Sequence, residues 1–183
     1  MRTNRYIVAV IGSGIRPHKE LSIPLGRWLA KRGYDLVNGG GAGVMEETAK
    51  AFAGNDIRTG LVLGILPSDH FYDKAERRNI YRSPHGYPNK YIDIPIRTHL
   101  PLSGSQGKEV LSRNHIIILT ANVIVALPGE LGTRSEIQLA LEYRKPLIIL
   151  SPNKEWDEYK NSSALIVKDV KDVFTEIQKK IGY

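Results

Sequence analysis

Short apolar runs, each followed by a polar or glycine-containing link, recur along the chain. Residues 6–11 form the run Tyr-Ile-Val-Ala-Val-Ile, which stops at Gly12. A run of this length, rich in β-branched residues and bounded by a turn residue, predicts a buried strand. The same pattern predicts strands at residues 35–38, 61–66, 123–127, 146–150 and 164–167.

Apolar residues between these strands recur at helical spacing. The first group is spaced i, i+4, i+7 and i+8 and so lies on one helix face: Leu21, Leu25, Trp28 and Leu29. Gly33 follows where a left-handed cap would end this helix, whereas Pro24 leaves its first turn undefined. Further helices are predicted at residues 44–53, 108–119, 135–144 and 170–181, the last capped by Asp169.

Strands that alternate with helices through short links predict an α/β fold. Such a pattern gives a mainly parallel sheet, here of about six or seven strands, with right-handed crossovers and helices on both faces. The 183 residues suit a single domain, 1–183. The exception is a polar and aromatic loop at about 67–107, which is long enough to predict a functional role and holds one short strand at 91–94.

Composition narrows the class of protein. Apolar residues make up 42% and charged residues 25%, as in globular proteins. The 26 basic and 19 acidic side chains give a net charge of +7, which favours an anionic partner without choosing between nucleic acid, a membrane surface and a phosphorylated small molecule. The absence of cysteine excludes disulfides, thiolate zinc sites and cysteine nucleophiles. No apolar run approaches the ~20 residues of a membrane helix, and the polar start argues against a secretory signal, so a cytoplasmic protein is expected.

Glycine-containing segments follow three of the predicted strands. In a parallel sheet, ligands bind beyond the carboxyl ends of the strands, where glycine lets the backbone approach a phosphate and the next helix offers free N–H groups. Three such segments on one edge predict an anion site. The site residues predicted in them are Gly12, Ser13 and Gly14, then Gly40, Gly41 and Gly43, then Pro128, Gly129, Gly132 and Thr133.

Two common phosphate motifs and a metal site are not present. The first segment has Pro17 where the dinucleotide fingerprint has its third glycine, and the second strand ends at Asn38 instead of a ribose-binding acid, so NAD binding is not expected. Residues 104–109 lack the Ser or Thr that follows the lysine of a P-loop, which argues against an ATPase or GTPase. The five histidines show no metal-ligand spacing, and no metal is predicted.

The third segment carries a longer motif. It contains, in order, Pro128, Gly129, Gly132, Thr133 and Glu136, and it resembles the Pro-Gly-Gly-x-Gly-Thr-x-x-Glu signature of the LOG-like superfamily, often labelled lysine decarboxylase-like. Further matches precede it at residues 12–14, 39–45, including Met45, and 64–67. Arg113 lies fifteen residues before Pro128, which is the spacing of the family arginine. The resemblance covers about residues 7–150.

The resemblance implies a fold, a type of ligand and two activities. The family fold is a Rossmann-like three-layer domain, usually a homodimer, and its best-known activity is hydrolysis of the N-glycosidic bond of nucleoside 5′-monophosphates. By position, Arg113 and Glu136 would be catalytic in such an enzyme, and Met45 would join the glycine segments in binding the ligand. Residues 91–98, 112–114 and 135–137 resemble more closely the molybdenum cofactor carriers, which hold a phosphorylated pterin. No cofactor is then required, because the nucleotide or molybdopterin-type molecule is itself the ligand.

Two departures from the family pattern rank the hypotheses. Glu130 replaces the second glycine of the signature and puts a carboxylate beside the predicted phosphate site. The family enzymes that activate cytokinins by this hydrolysis carry His-x-Arg-Lys around their arginine, and this motif is absent around Arg113. We therefore expect a protein that binds a phosphorylated nucleotide-like or pterin ligand, with a phosphoribohydrolase as the alternative. Nucleic-acid binding ranks last because no recognition motif is present, and lysine decarboxylation has no support in the sequence.

A homodimer is also expected. The family resemblance supports it, and so does an apolar stretch after the signature that one sheet would leave partly uncovered, with Leu139, Ala140 and Tyr143. Two-fold dimers are the commonest closed assemblies.

Overall fold

The computed structural model describes residues 5–181, and these form one parallel sheet of seven strands in the order β4-β3-β2-β1-β5-β6-β7. Every strand pair is parallel. The α/β, Rossmann-like fold predicted from the sequence is therefore confirmed. The strands are β1 (Ile7–Ile11), β2 (Asp35–Asn38), β3 (Val62–Leu66), β4 (Ile94–Arg97), β5 (Val123–Ala126), β6 (Leu147–Leu150) and β7 (Leu165–Val167).

Helices cover both faces of the sheet. They are α1 (Lys19–Lys31), α2 (Val44–Ala53), α3 (Asn114–Thr120), α4 (Leu131–Glu142) and α5 (Val170–Ile181), with short 3-10 helices at Ala75–Ile80, Gly104–Gln106 and Asp157–Tyr159. Helices α1, α2 and α5 contribute to the core on one face, and α3 and α4 to the core on the other. In the described part of the chain, no helix has the length and apolar character needed to cross a membrane.

The two cores explain why the central strands are apolar throughout. Along β1, Val8 and Val10 pack with α1, α2 and α5, whereas Ala9 and Ile11 pack with α3 and α4. Every residue of β5 is buried in the same way. A strand covered by helices on both faces needs apolar side chains at successive positions, which is the continuous pattern seen in the sequence.

The strand order creates a crevice at the carboxyl ends of β1 and β5. These strands are hydrogen-bonded neighbours, with Ile11 beside Ala126, but the chain leaves β1 towards β2 and leaves β5 towards β6, on opposite sides. At such a switch point the connecting segments diverge and leave room for a ligand. The Ser13 N–H donates to the Pro128 carbonyl at 3.1 Å, and the Val44 N–H donates to the Ser13 carbonyl at 2.8 Å, so all three glycine segments meet here.

Three elements begin three or more residues away from their predicted start. Helix α4 begins at Leu131, four residues earlier than expected, because Gly132 in its first turn disguised a helical start. Helix α3 begins at Asn114, and the residues before it form turns, so Arg113 lies at the helix start and not in mid-helix. The strand expected at 91–94 lies at β4, three residues further along. Asp169 caps α5 as predicted, since its Oδ1 accepts the Lys171 N–H at 2.8 Å.

The apolar stretch after the signature is largely covered by its own chain. Leu139 and Ala140 are buried among the residues of the α3–α4 core, so the expectation that they remain uncovered is wrong. Tyr143 alone of the three is exposed, at 39%. Leu139 and Ala140 therefore give no support to a dimer.

The packing of α2 against α1 and the sheet predicts a stability effect. Phe52 is fully buried in that core, and Phe52→Ala should lower the free energy of unfolding by ~3–5 kcal/mol because it leaves a cavity. Ile57→Ala is the matched control, since Ile57 is 67% exposed, and should change stability by less than ~0.5 kcal/mol. Urea unfolding measures both, and equal effects of the two substitutions would contradict the assignment.

Candidate binding cavity

A cavity of about 380 Å³ lies at the carboxyl ends of β1 and β5. Seven of the thirteen residues predicted for the site line it: Gly12, Gly14, Met45, Arg113, Gly132, Thr133 and Glu136. The other lining residues come from strand β1, the glycine turns, the long loop and the starts of α3 and α4: Val10, Ile11, Ile15, Gly39, Tyr87, Ser103, Gly104, Ser105, Asn114, Glu130 and Leu131. The structure thus brings all three glycine segments to one cavity together with both predicted catalytic residues.

The remaining predicted residues stand behind the cavity wall. They are Ser13, Gly40, Gly41, Gly43, Pro128 and Gly129, and none of them is among the lining residues. Gly43 has φ +66° and lies against the backbone of Ser13 and Gly14, so a side chain there would separate the first two segments. A Cβ atom on Gly129 would lie 2.8 Å from the Ser13 nitrogen. These glycines keep the turns close together.

Two asparagines hold the second glycine segment. The Asn38 side chain accepts the Gly40 N–H at 2.8 Å and donates to the Met45 carbonyl at 3.2 Å. Asn89 donates its backbone N–H to the Gly40 carbonyl at 2.7 Å and its Nδ2 to the Gly41 carbonyl at 2.8 Å. The sequence showed Asn38 only as a residue that replaces the ribose-binding acid, and it did not reveal the role of Asn89. An asparagine in a long loop carries no local signal of its distant partner.

Arg113 is the basic residue of the cavity. Its side chain is buried, and Nη1 donates to the Ile65 carbonyl at 2.6 Å. The guanidinium lies 5.9 Å from the ring centre of Tyr87 and against Gly39, where any Cβ would overlap it. None of the described residues accepts a hydrogen bond from its Nε. A buried donor without a partner is costly, and the cost is relieved by a ligand that accepts from it.

Glu136 is an acid of the cavity that interacts electrostatically with Arg113. Burial raises the pKa of this carboxyl to about 7, and the positive charge of Arg113 opposes part of the rise. Burial likewise lowers the pKa of Arg113, while the charge of Glu136 counteracts it. A carboxyl group that titrates near neutral pH inside a cleft is typical of functional sites, since it can give or take a proton there.

Glu130 faces the cavity from the start of α4. Its Oε1 accepts the Ser13 hydroxyl at 2.8 Å, and the side chain lines the cavity. It is the residue before the first turn of α4, yet it makes no side-chain cap to that helix. The first turn, Leu131 to Thr133, therefore leaves its N–H groups and its partial positive charge to whatever binds there.

The long loop supplies the outer wall. Ser103, Gly104 and Ser105 border the cavity beside α4, where the Ser135 hydroxyl donates to the Gly104 carbonyl at 2.8 Å. Tyr87 contributes an aromatic surface from the same loop. The loop length suggested a role at the site, but no local pattern singled out these residues. Among the described residues, no group of His, Asp and Glu is arranged to hold a metal ion.

A parallel α/β sheet with a glycine-lined crevice at its switch point defines a Rossmann-like ligand-binding domain. The chain belongs to the SLOG cluster4 family, whose model matches residues 5–176. The prediction of a LOG-like superfamily member is confirmed. An uncharacterized protein of Archaeoglobus fulgidus is 31% identical over 147 residues, which cover 79% of this chain and 80% of that protein.

Solved structures place the chain nearer to one branch of this superfamily. The molybdenum cofactor binding protein of the phototrophic bacterium Rippkaea orientalis is 26% identical, with a TM-score of 0.75 over 98% of this chain and 99% of that one. The Moco carrier protein of Chlamydomonas reinhardtii is 23% identical, with a TM-score of 0.72 over 97% and 98% of the two chains. The predicted likeness to the molybdenum cofactor carrier branch is confirmed.

The fold also occurs in a DNA-binding protein. DNA processing protein A of Helicobacter pylori, which binds single-stranded DNA, is 23% identical, with a TM-score of 0.65 over 95% of this chain and 80% of that one. A likeness at this level of identity shows the fold alone. This likeness therefore does not indicate that this chain binds DNA.

The titration of Glu136 predicts a pH effect on stability. Its pKa is about 7 in the folded protein, against an ordinary value of 4.5, so between these values the folded state holds more protons than the unfolded state and stability falls as pH rises. Glu136→Gln removes this group. The free energy of unfolding of the variant minus that of the parent should therefore increase from pH 4.5 to 7 and level off above it, as measured by urea unfolding. A difference that stays constant with pH would contradict the raised pKa.

Proposed function

We propose that the protein binds a phosphorylated nucleotide-like or pterin ligand in this cavity. The observation that carries the proposal is the buried Arg113, whose Nε has no hydrogen-bond partner within residues 5–181, in a cavity that also holds the uncapped start of α4. A planar guanidinium and free backbone N–H groups are complementary to phosphate oxygens. They are of no use to a purely apolar ligand.

The rest of the cavity suits a flat ring system. Tyr87, Met45 and Ile15 provide apolar surface, and Ile15 is 82% exposed without a ligand. Aromatic and apolar side chains stack on heterocycles, while a few polar groups fix their orientation. The similarity to the molybdenum cofactor binding protein of Rippkaea orientalis supports a pterin as one such ligand. Purine nucleotides share the same combination of phosphate and flat ring.

Phosphate-dependent affinity is the first test. AMP should bind at least ~10-fold more tightly than adenosine, because a charge-assisted hydrogen bond to Arg113 contributes on the order of 1.5–3 kcal/mol. Arg113→Lys keeps the positive charge but loses the planar fork, and should reduce the difference between AMP and adenosine. Isothermal calorimetry measures all four affinities. Equal binding of AMP and adenosine, or binding of neither nucleotides nor molybdopterin, would overturn the proposal.

A phosphoribohydrolase is the second candidate, and Glu136 favours it. A carboxyl group with a pKa of about 7 beside Arg113 can activate water or stabilise a developing sugar cation. Cleavage of the N-glycosidic bond leaves positive charge on the ribose and negative charge on the departing base. Arg113 would then orient the nucleotide or stabilise the leaving base.

Turnover separates the two candidates. If the protein is a hydrolase, it releases free base from a nucleoside monophosphate, and Glu136→Gln should reduce that rate by ~10²-fold or more while binding persists. If it is a carrier, the parent protein releases no base, and Glu136→Gln binds a phosphorylated ligand equally well or better, since a negative charge is removed. Chromatography of AMP, GMP and CMP after incubation with each protein distinguishes the outcomes.

Nucleic acid is a less suitable partner for this cavity. Its lining residues include one base, Arg113, and two acids, Glu130 and Glu136, so the net charge of +7 lies elsewhere on the molecule. Binding to a nucleic-acid backbone depends on several cations along one surface. The cavity instead favours a small ligand with one strongly recognised anionic group.

We also propose a homodimer that uses the outer side of α3 and α4. Leu119 and Tyr143 are exposed there, at 52% and 39%, and Tyr143 is joined to His115 by a hydrogen bond of 2.7 Å. Leu119→Glu should shift the protein to monomers in light scattering, because it places a charge in an apolar interface. Ile57→Glu, at an exposed apolar site on another face, should leave the assembly unchanged. A parent protein that is monomeric at micromolar concentration would contradict the dimer.

A further inference from the structure

The first glycine turn fixes the direction of one hydroxyl group. The Ser13 Oγ accepts the N–H of Ile15 at 3.1 Å and the N–H of Arg16 at 2.8 Å. A hydroxyl oxygen accepts two hydrogen bonds and donates one, so the Ser13 proton is left for Glu130, whose Oε1 it reaches at 2.8 Å. The serine side chain is buried and cannot turn to solvent. The turn thus uses its own N–H groups and holds the carboxylate of Glu130.

Glu130 consequently presents an acceptor to the cavity. Its carboxylate does not cap α4, and among the described residues Ser13 alone donates a hydrogen bond to it. Oε2 accepts no hydrogen bond from the described residues, and Glu130 is one of the residues that line the cavity. An ionised carboxylate has no donor to offer, so it repels phosphate oxygens and accepts from hydroxyl or amino groups.

The basic residue and this acid of the cavity are held by different segments of the chain. Arg113, the one base among the lining residues, lies against Gly39 and Tyr87 in the second glycine segment and the long loop. Glu130 contacts the first glycine turn through Ser13 and directly precedes α4. The acid that commonly binds a ribose at the end of the second strand is replaced by Asn38, whose side chain is already used within its own loop.

We propose that Glu130 is a specificity-determining residue that accepts hydrogen bonds from the hydroxyl groups of a sugar or polyol, while Arg113 binds the phosphate of the same ligand. This inference rests on the proposed function, because it orients the ligand within the proposed site. It also reverses the role expected from the signature. The acid that replaces the second glycine is a recognition group for hydroxyls, so its removal weakens binding instead of relieving repulsion.

Measurements that combine a change in the ligand with a change in the protein test this role of Glu130 directly. Calorimetry compares AMP with its 2′,3′-dideoxy analogue, on the parent protein and on Glu130→Ala. The parent should lose ~10- to 100-fold in affinity when the two hydroxyls are absent, the scale of hydrogen bonds to a charged group. Glu130→Ala should lose a similar factor for AMP and show no further loss for the analogue. Glu130→Gln, which keeps one acceptor without the charge, should fall between the two.

Control variants separate recognition from folding. Glu142→Ala removes an exposed acid at the last position of α4, one that pairs with Lys108 away from the cavity, and should bind both ligands as the parent does. Ser13→Ala frees the carboxylate and should reduce the preference for AMP without abolishing it. Thermal unfolding should be nearly the same for Glu130→Ala and Glu142→Ala, since neither side chain caps the helix.

The outcomes are distinct from those that test the proposed function. Tighter binding of AMP by Glu130→Ala, or equal affinity of the parent for AMP and its dideoxy analogue, overturns the role of Glu130 and leaves a phosphate site intact. A parent protein that binds molybdopterin but not AMP also overturns this inference and keeps the proposed function. A parent protein that binds neither AMP nor molybdopterin overturns both the role of Glu130 and the proposed function.

Discussion

The backbone of Ser13 joins the three turns around which the cavity is built. Its N–H donates to the Pro128 carbonyl after β5, and its carbonyl accepts the Val44 N–H at the start of α2. Both bonds require close approach of backbone segments, which is why glycine occupies positions 43 and 129. Without these two bonds the divergence of the chain at β1 and β5 would give an open groove. With them, the three turns form one wall.

Burial of Arg113 is the second constraint on the site. The guanidinium is covered by the Gly39 backbone and the Tyr87 ring. Among the described residues, it donates one hydrogen bond, to the Ile65 carbonyl. A buried cation is unfavourable unless charge and hydrogen bonds compensate it. Glu136 compensates this charge only in part, because burial raises the pKa of its carboxyl group to about 7, although the charge of Arg113 opposes the rise. The pair is thus poised so that an anionic ligand completes it.

The net charge of the chain says little about this site. A surplus of +7 suggested an anion-binding protein, yet the acids of the cavity outnumber its one base. Net charge acts over the whole surface and governs encounter with a partner, whereas recognition depends on which groups face the ligand. A cavity that combines a buried base with an acid bound to Ser13 selects a ligand that carries both an anionic group and hydrogen-bond donors.

The sequence by itself determined the fold class, the family and most of the elements. Continuous apolar runs, helical spacing and the residues of the signature are local patterns, and local patterns survive without knowledge of distant contacts. The tertiary structure decided which of these residues face the ligand. It placed Ser13, Gly40 and Gly129 behind the wall, brought Tyr87 and Ser103 to it from a loop without a pattern, and directed Glu130 towards Ser13, 117 residues away. Side-chain direction and burial at a switch point arise where separate segments converge, so neighbours in sequence cannot specify them.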